Sequence, residues 1–300
     1  GQFDLKELDL ALDKTRIAGA WSWLPGTPAS QHFDLRADRL DLDAYLPPPQ
    51  FPSPAAGSGA MSALDYTHPP FLLRLLVAEA WAAPAPDLDP APIPNTIPVE
   101  VIRDLNLTGR LRITQLLAGG LTFGDFDGRF TSRDGQLRME EQVARFYAGK
   151  LQGHVEVDAG QTPLLLTLNQ KAEGVSVGDL LKDLTGEGRL TGTGRIQADL
   201  SARGLTRDEI LPSLSGTAAL QVVKGSIEGF DLERAILSAE AGLPGRAGQP
   251  RGQGPGRTEI TDLSSTARVE QGILDTQDIQ VSSGYLHATG KGRIDLPRQQ

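Results

Sequence analysis

Apolar and polar residues alternate along much of this chain, and no other feature constrains the fold as strongly. Near the start, the apolar residues Phe3, Leu5 and Leu8 stand between polar partners, and residues 33–42 repeat the pattern with one slip. Successive side chains of a β-strand point to opposite faces, so a period of two indicates strands with one apolar and one solvated face. The sequence therefore predicts a mainly β fold.

Short glycine-containing units mark repeated strands after residue 99. Asp134-Gly135, Lys224-Gly225 and Gln271-Gly272 each lie between two alternating runs, where an X-Gly pair suits a tight turn with positive φ. We therefore predict three hairpins, within an extended sheet of strand repeats rather than a closed globule. Gly-x-apolar units recur through the same region, at Gly109, Gly149, Gly188, Gly216 and Gly290.

Two stretches interrupt the alternation. Residues 47–98 hold 13 of the 21 prolines, which remove backbone donors, so we predict an irregular insertion there with one helix near 71–81. Residues 242–257 are rich in Gly, Pro and Arg and are predicted to form a flexible loop. Further helices are predicted over residues 177–184 and 231–241. The expected organisation is a first strand region, the Pro-rich insertion and a second strand region, at residues 1–46, 47–98 and 99–300.

Composition excludes several classes of site. The 300 residues contain no cysteine, which excludes disulfides, thiolate zinc sites, iron–sulfur clusters and a cysteine nucleophile. The net charge of −9 argues against a basic nucleic-acid-binding face. No stretch has the roughly 18 to 20 apolar residues of a membrane span; the nearest, residues 71–83, carries Arg74 and Glu79. Because the chain starts without Met and in an alternating run, we expect a fragment whose signal or anchor lies upstream.

Motifs for catalysis and metal binding are missing from the sequence. The histidines His32, His68, His154 and His287 have no metal-ligand spacing, which favours solvated or partly packed rings, although three of them could still meet in space. The glycine-rich residues 188–194 and 284–292 depart from nucleotide-binding motifs and fit strands better. We expect no enzymatic activity, metal or cofactor. Closely spaced carboxylates would allow a calcium or catalytic pairing, but a solvated strand face explains them as well: Asp41 and Asp43, Asp87 and Asp89, Asp125 and Asp127, Asp275 and Asp278.

The positive signal is the large apolar face that the alternation predicts. One or two helices cannot cover so much sheet, so the sheet must fold on itself, pack on a partner or hold an apolar ligand. An ordinary two-layer core remains the alternative. Strand parity selects these candidates for lining the face: Leu111, Ile113, Leu121, Phe123, Leu151, Val155, Val157, Leu164, Leu166, Leu168, Leu190, Ile196, Leu220 and Val222.

Four segments carry a family resemblance: Asp38 to Pro48, Pro98 to Ile113, Leu180 to Gly194, and Leu214 to Leu232. In this order they resemble the C-terminal portion of the AsmA family of Gram-negative bacteria. Together they extend over nearly the whole chain outside residues 47–97. No family role transfers to the Pro-rich insertion or to the Gly/Arg loop.

The resemblance implies a periplasmic protein that an N-terminal helix anchors in the inner membrane. It also implies an elongated, curled antiparallel sheet of strand repeats, which forms a half-open apolar groove with a few short helices. AsmA-like proteins are similar to bridge-like lipid-transfer proteins, so we expect binding of phospholipid acyl chains and a role in outer-membrane biogenesis, without enzymatic activity. This hypothesis expects an uninterrupted apolar inner face with no buried charge.

Two other classes remain open. A scaffold for outer-membrane proteins would bind protein strands at an exposed sheet edge, and a hydrolase would need residues that converge only in space. For the lipid hypothesis, Leu166→Asp is expected to abolish lipid retention if Leu166 lines the groove.

Overall fold

Within the residues that the structure describes, thirteen strands form one open sheet, which confirms the predicted mainly β fold. The structure is a computed structural model and describes residues 3–12, 14–26, 28–44, 99–186, 188–229, 256–284 and 286–298. The strands are β1 (Phe3–Leu12), β2 (Thr15–Leu24), β3 (Ser30–Asp41), β4 (Asn106–Ala118), β5 (Leu121–Arg133), β6 (Gln136–Phe146), β7 (Gly149–Asp158), β8 (Leu165–Ser176), β9 (Leu190–Arg203), β10 (Ser215–Glu228), β11 (Arg257–Glu270), β12 (Ile273–Ser283) and β13 (Leu286–Asp295).

Each strand pairs with its neighbours in the sequence, so β1 and β13 lie at opposite edges. With about 4.8 Å between strands, the sheet measures roughly 58 Å across. The pairs are antiparallel except β3–β4, which is parallel. A parallel pair requires a long crossover, and the connection from Asp41 to Asn106 contains the Pro-rich insertion. The antiparallel prediction is therefore wrong at this one pair.

The X-Gly pairs serve two different purposes. Asp134-Gly135 connects β5 to β6 with φ values of 52° and 78°, and Gln271-Gly272 connects β11 to β12 with 52° and 75°. Both predicted hairpins are confirmed. The hairpin predicted at Lys224-Gly225 is wrong, because this pair lies inside β10 at a register shift against β9. A bulge uses the same positive φ as a tight turn, so the dipeptide alone does not distinguish them.

In the described part of the chain, three short helices accompany the sheet: α1 (Val99–Asp104), α2 (Val177–Thr185) and α3 (Arg207–Ser213). The prediction at 177–184 is confirmed by α2, which ends at Gly186 with φ 80°. The strand character expected from residue 99 is wrong for α1, and α3 was not predicted; both helices are too short for a clear helical period, and α3 contains Pro212. The helices predicted near 71–81 and at 231–241, and the predicted loop up to residue 255, lie outside the described residues.

Two hydrophobic clusters form the core on one side of the sheet. The helix-α3 cluster contains Leu164, Leu166, Leu168, Leu200 and Ile210, among others, and also includes Ile102 of α1. The helix-α2 cluster joins β3–β8 to Leu180 of α2, around Ile113, Phe123, Val143, Phe146 and Leu151. The short helices therefore cover the middle of one sheet face.

Candidate functional site

The cross-strand register aligns apolar residues from all thirteen strands in one row. Residues paired across neighbouring strands point to the same side of a sheet. No residue of this long row is polar, so an apolar face, which we call the inner face, extends from edge to edge. The long row consists of Leu5, Trp21, Phe33, Gly109, Phe130, Met139, Val155, Leu168, Leu200, Gly216, Val269, Leu274 and Ile294.

Coverage of the long row changes along its length. Where α3 packs, Leu168 is 1% exposed and Leu200 is 5% exposed. At the two sheet edges, Leu5 and Ile294 are 36% and 40% exposed. Between β2 and β7 the row stays accessible, since its members there other than Gly109 are only half-buried: Trp21, Phe33, Phe130, Met139 and Val155.

Gly109 makes room for the aromatic part of this row. Phe33 and Phe130 flank it on the neighbouring strands, with ring centroids 5.9 Å apart. A Cβ on residue 109 would overlap the Phe33 ring. The glycine thus lets two aromatic rings meet over the strand between them.

A second apolar row runs parallel to the long row on the same face. It crosses eleven strands and ends at a serine on β11. Its members are Leu10, Ile17, Ala37, Ile113, Phe126, Val143, Leu151, Ala172, Ile196, Leu220 and Ser265.

A middle row separates the two apolar rows and corrects the expectation of an inner face without buried charge. Glu141 lies in it and is 5% exposed. Its partners on both sides are glycines, and the Gln170 amide nitrogen donates a hydrogen bond to its carboxylate. The row contains Leu35, Leu111, Gly128, Glu141, Gly153, Gln170, Ala198, Ala218 and Ala267.

Burial raises the pKa of the Glu141 carboxyl from 4.5 to about 7. The hydrogen bond from Gln170 lowers this pKa and the neighbouring charge of Glu140 raises it, but both effects are smaller than that of burial. Near neutral pH this group therefore exists in both protonation states.

The sequence-selected candidates differ in whether they lie in the three rows and in how far they are buried. Seven lie in the three rows: Leu111, Ile113, Leu151, Val155, Leu168, Ile196 and Leu220. Eight of the fourteen are buried, namely Ile113, Leu121, Phe123, Leu151, Leu164, Leu166, Leu168 and Val222, and the other six, Leu111, Val155, Val157, Leu190, Ile196 and Leu220, are half-buried.

Sequence reasoning missed the aromatic half of the site. Trp21, Phe33, Phe130 and Met139 occupy the accessible stretch of the long row but were not among the candidates. Their own alternation within β2, β3, β5 and β6 was the available signal.

The opposite, outer face is charged and its carboxylates pair with arginines. Asp125 accepts a hydrogen bond of 2.6 Å from Arg145, and Asp127 pairs with Arg110. These guanidinium groups hold the pKa of both carboxyls below the ordinary value. Within the described ranges, no three His, Asp or Glu side chains are grouped so that they could hold a metal ion. His68, Asp87 and Asp89 lie outside those ranges.

None of the helices in the described part of the chain is both long and apolar enough to cross a membrane.

Comparison with known proteins identifies the family. The sequence model of the AsmA family matches residues 78–279. Protein AsmA of Escherichia coli (strain K12) is 21% identical over 180 residues, which are 60% of this chain and 29% of that relative. The aligned part therefore covers less than a third of the relative's length, and no solved structure matches significantly. Because the family match extends over more than half of the sequence, the chain belongs to the AsmA family.

Proposed function

We propose that this chain binds the acyl chains of phospholipids on its inner face and thereby contributes to lipid movement between the two membranes of a Gram-negative bacterium. The observation that carries this proposal is the long row, which crosses thirteen strands without a polar residue. Membership of the AsmA family supports the same assignment and a role in outer-membrane biogenesis.

The energetics favour acyl chains over a compact ligand. Each CH₂ group removed from water contributes about 0.8 kcal/mol, so a chain gains affinity from length alone and needs no specific polar contact. The half-buried residues from Trp21 to Val155 offer such a surface along six adjacent strands, and the half-buried Ile196 and Leu220 of the second row add to it on β9 and β10. The phosphate of the lipid would stay in water at the open side of the sheet.

The cellular setting belongs to the same proposal. We place the chain in the periplasm, with attachment to the inner membrane through a segment upstream of residue 1. In this proposal the protein acts without chemistry on the lipid, as a passive surface along which acyl chains move. Partners at the two sheet edges would then set the direction.

Leu220→Asp tests the lipid-binding face. Leu220 is half-buried between Ile196 and Ser265 in the second row and lies outside both core clusters. A carboxylate there would have to be desolvated against an acyl chain, so we expect at least roughly tenfold weaker lipid binding. Native mass spectrometry of the purified chain, followed by extraction and identification of bound lipid, measures the effect.

Ala219→Asp is the matched control, because residue 219 points to the outer face next to Gln197 and Thr266. It should retain lipid at the level of the unmodified chain. Equal retention by both variants, with circular dichroism spectra unchanged, would refute the assignment of the inner face.

A scaffolding function is the second candidate, since the edge strand β1 exposes apolar residues. Phe3 is 49% exposed and Leu10 is 46% exposed, and an edge strand can pair with a strand of another protein. Copurification of outer-membrane barrel proteins with a lipid-free chain would favour this function over lipid binding.

A further inference from the structure

The middle row contains two buried oxygen atoms that lack a hydrogen-bond partner. The Oε1 atom of the Glu141 carboxylate accepts a hydrogen bond from the Gln170 amide nitrogen, but its Oε2 atom has no hydrogen-bond donor. Gln170 is 9% exposed and its Oε1 is unpaired as well. A buried acceptor without a donor destabilises the folded protein, and it does so more strongly when it is charged. Each of these oxygen atoms therefore lacks a hydrogen-bond donor among the described residues.

The members of the middle row around this pair are glycines and alanines. Gly128 and Gly153 flank Glu141 on the neighbouring strands. A Cβ on residue 153 would overlap the backbone oxygen of Asn169 and lie 2.8 Å from Cδ of Gln170, so this position requires glycine. Beyond Gln170 the row continues with Ala198, Ala218 and Ala267. Between β5 and β11, Glu141 and Gln170 are the only members of the middle row whose side chains are larger than a methyl group.

The apolar rows on both sides restrict the kind of donor. A ligand whose donor reached Glu141 would lie against the two apolar rows, which favours a molecule with apolar chains. A metal ion would require more oxygen ligands than these two side chains offer. A primary ammonium supplies several N–H donors and the positive charge that a buried carboxylate lacks. The raised pKa of Glu141 agrees with a carboxyl whose counterion is missing.

We propose that Glu141 and Gln170 bind the primary ammonium of an ethanolamine phospholipid whose acyl chains lie on the two flanking apolar rows. This inference rests on the proposed lipid-binding function and adds a preference for one head group. An ethanolamine and a choline phospholipid with identical acyl chains distinguish recognition of the head group from binding of the acyl chains alone. Both head groups carry one positive charge, but only ethanolamine has N–H donors.

Native mass spectrometry of the 300-residue chain, with equimolar ethanolamine and choline lipids in detergent, measures the preference. We expect the unmodified chain to favour the ethanolamine lipid roughly tenfold. In Glu141→Gln the preference should fall to within about twofold. A glycerol phospholipid, which brings hydroxyl donors and a net negative charge, should bind more weakly than the ethanolamine lipid.

Glu140→Gln is the matched control. Glu140 is the adjacent residue, is exposed on the outer face and pairs with Arg138. It should keep the full preference. Glu141→Leu provides a second variant should Glu141→Gln fold poorly, because an apolar residue removes the buried carboxyl altogether.

The outcomes separate this inference from the function on which it rests. Equal binding of ethanolamine and choline lipids by the unmodified chain would overturn the head-group site and leave acyl-chain binding intact. A chain that binds neither lipid would overturn both. Preference retained in Glu141→Gln and Glu141→Leu, or tighter binding of the glycerol lipid, would also overturn the ammonium site.

Discussion

Leu166→Asp is expected to lower the free energy of unfolding by at least about 3 kcal/mol, because it places a carboxylate in a closed core. Leu166 is 3% exposed and belongs to the helix-α3 cluster. The variant loses the burial of a leucine side chain and must in addition desolvate an unpaired charge. Urea denaturation followed by circular dichroism gives the difference in unfolding free energy from the unmodified chain.

Thr167→Asp serves as the control for an added charge on the same strand. Residue 167 points to the outer face, opposite Glu156 and Ser201. We expect a change of no more than about 1 kcal/mol, most of it from the like charge on Glu156. If Leu166→Asp instead unfolded at the same urea concentration and lost only its lipid, Leu166 would face a ligand and not the core.

This expectation differs from the one that the sequence alone supports for Leu166. Alternation selected the apolar side of β8, but periodicity does not reveal what lies above a strand. The cover comes from α1 and α3, two helices of six and seven residues that are too short to leave a readable period. Leu166 is therefore suited to a stability experiment, whereas the half-buried Leu220 is suited to the lipid experiment.

The rows could not be derived from the sequence for a related reason. Strand parity assigns residues to a face, but the register between strands decides which residues stand side by side. Phe33 reaches the long row through the parallel β3–β4 pair, whose partners lie on either side of the Pro-rich insertion. No local signal predicts such a long-range pairing.

The position of Glu141 on the apolar face, in contrast, could have been predicted from the sequence. Met139 and Val143 alternate with it along β6, so parity alone assigns a carboxyl to the apolar face. The sequence hypothesis treated acidic residues as members of the solvated face and so expected no buried charge. The flanking glycines, Gly128 and Gly153, are adjacent only in the folded sheet.

The buried carboxyl of Glu141 predicts that the protein loses stability as the pH rises from about 4.5 to about 7. In the unfolded chain the carboxyl titrates near 4.5, whereas in the folded protein burial raises its pKa to about 7. Between these values the folded state keeps a proton that the unfolded state has released. Stability therefore falls with rising pH in this window, and the loss is complete above the folded pKa. The difference between the two pKa values corresponds to a loss on the order of 3 kcal/mol.

Urea denaturation of the unmodified chain and of Glu141→Gln between pH 4.5 and 8 isolates this contribution. The carboxyls paired with arginine, such as Asp125 and Asp127, have lowered pKa values, so they titrate below the window and affect both proteins alike. Glu141→Gln should therefore show the flatter dependence, and the two curves should diverge as the pH rises. Parallel curves would contradict the raised pKa of Glu141. Adding the ethanolamine lipid should flatten the curve of the unmodified chain alone, since a bound ammonium stabilises the charged carboxyl.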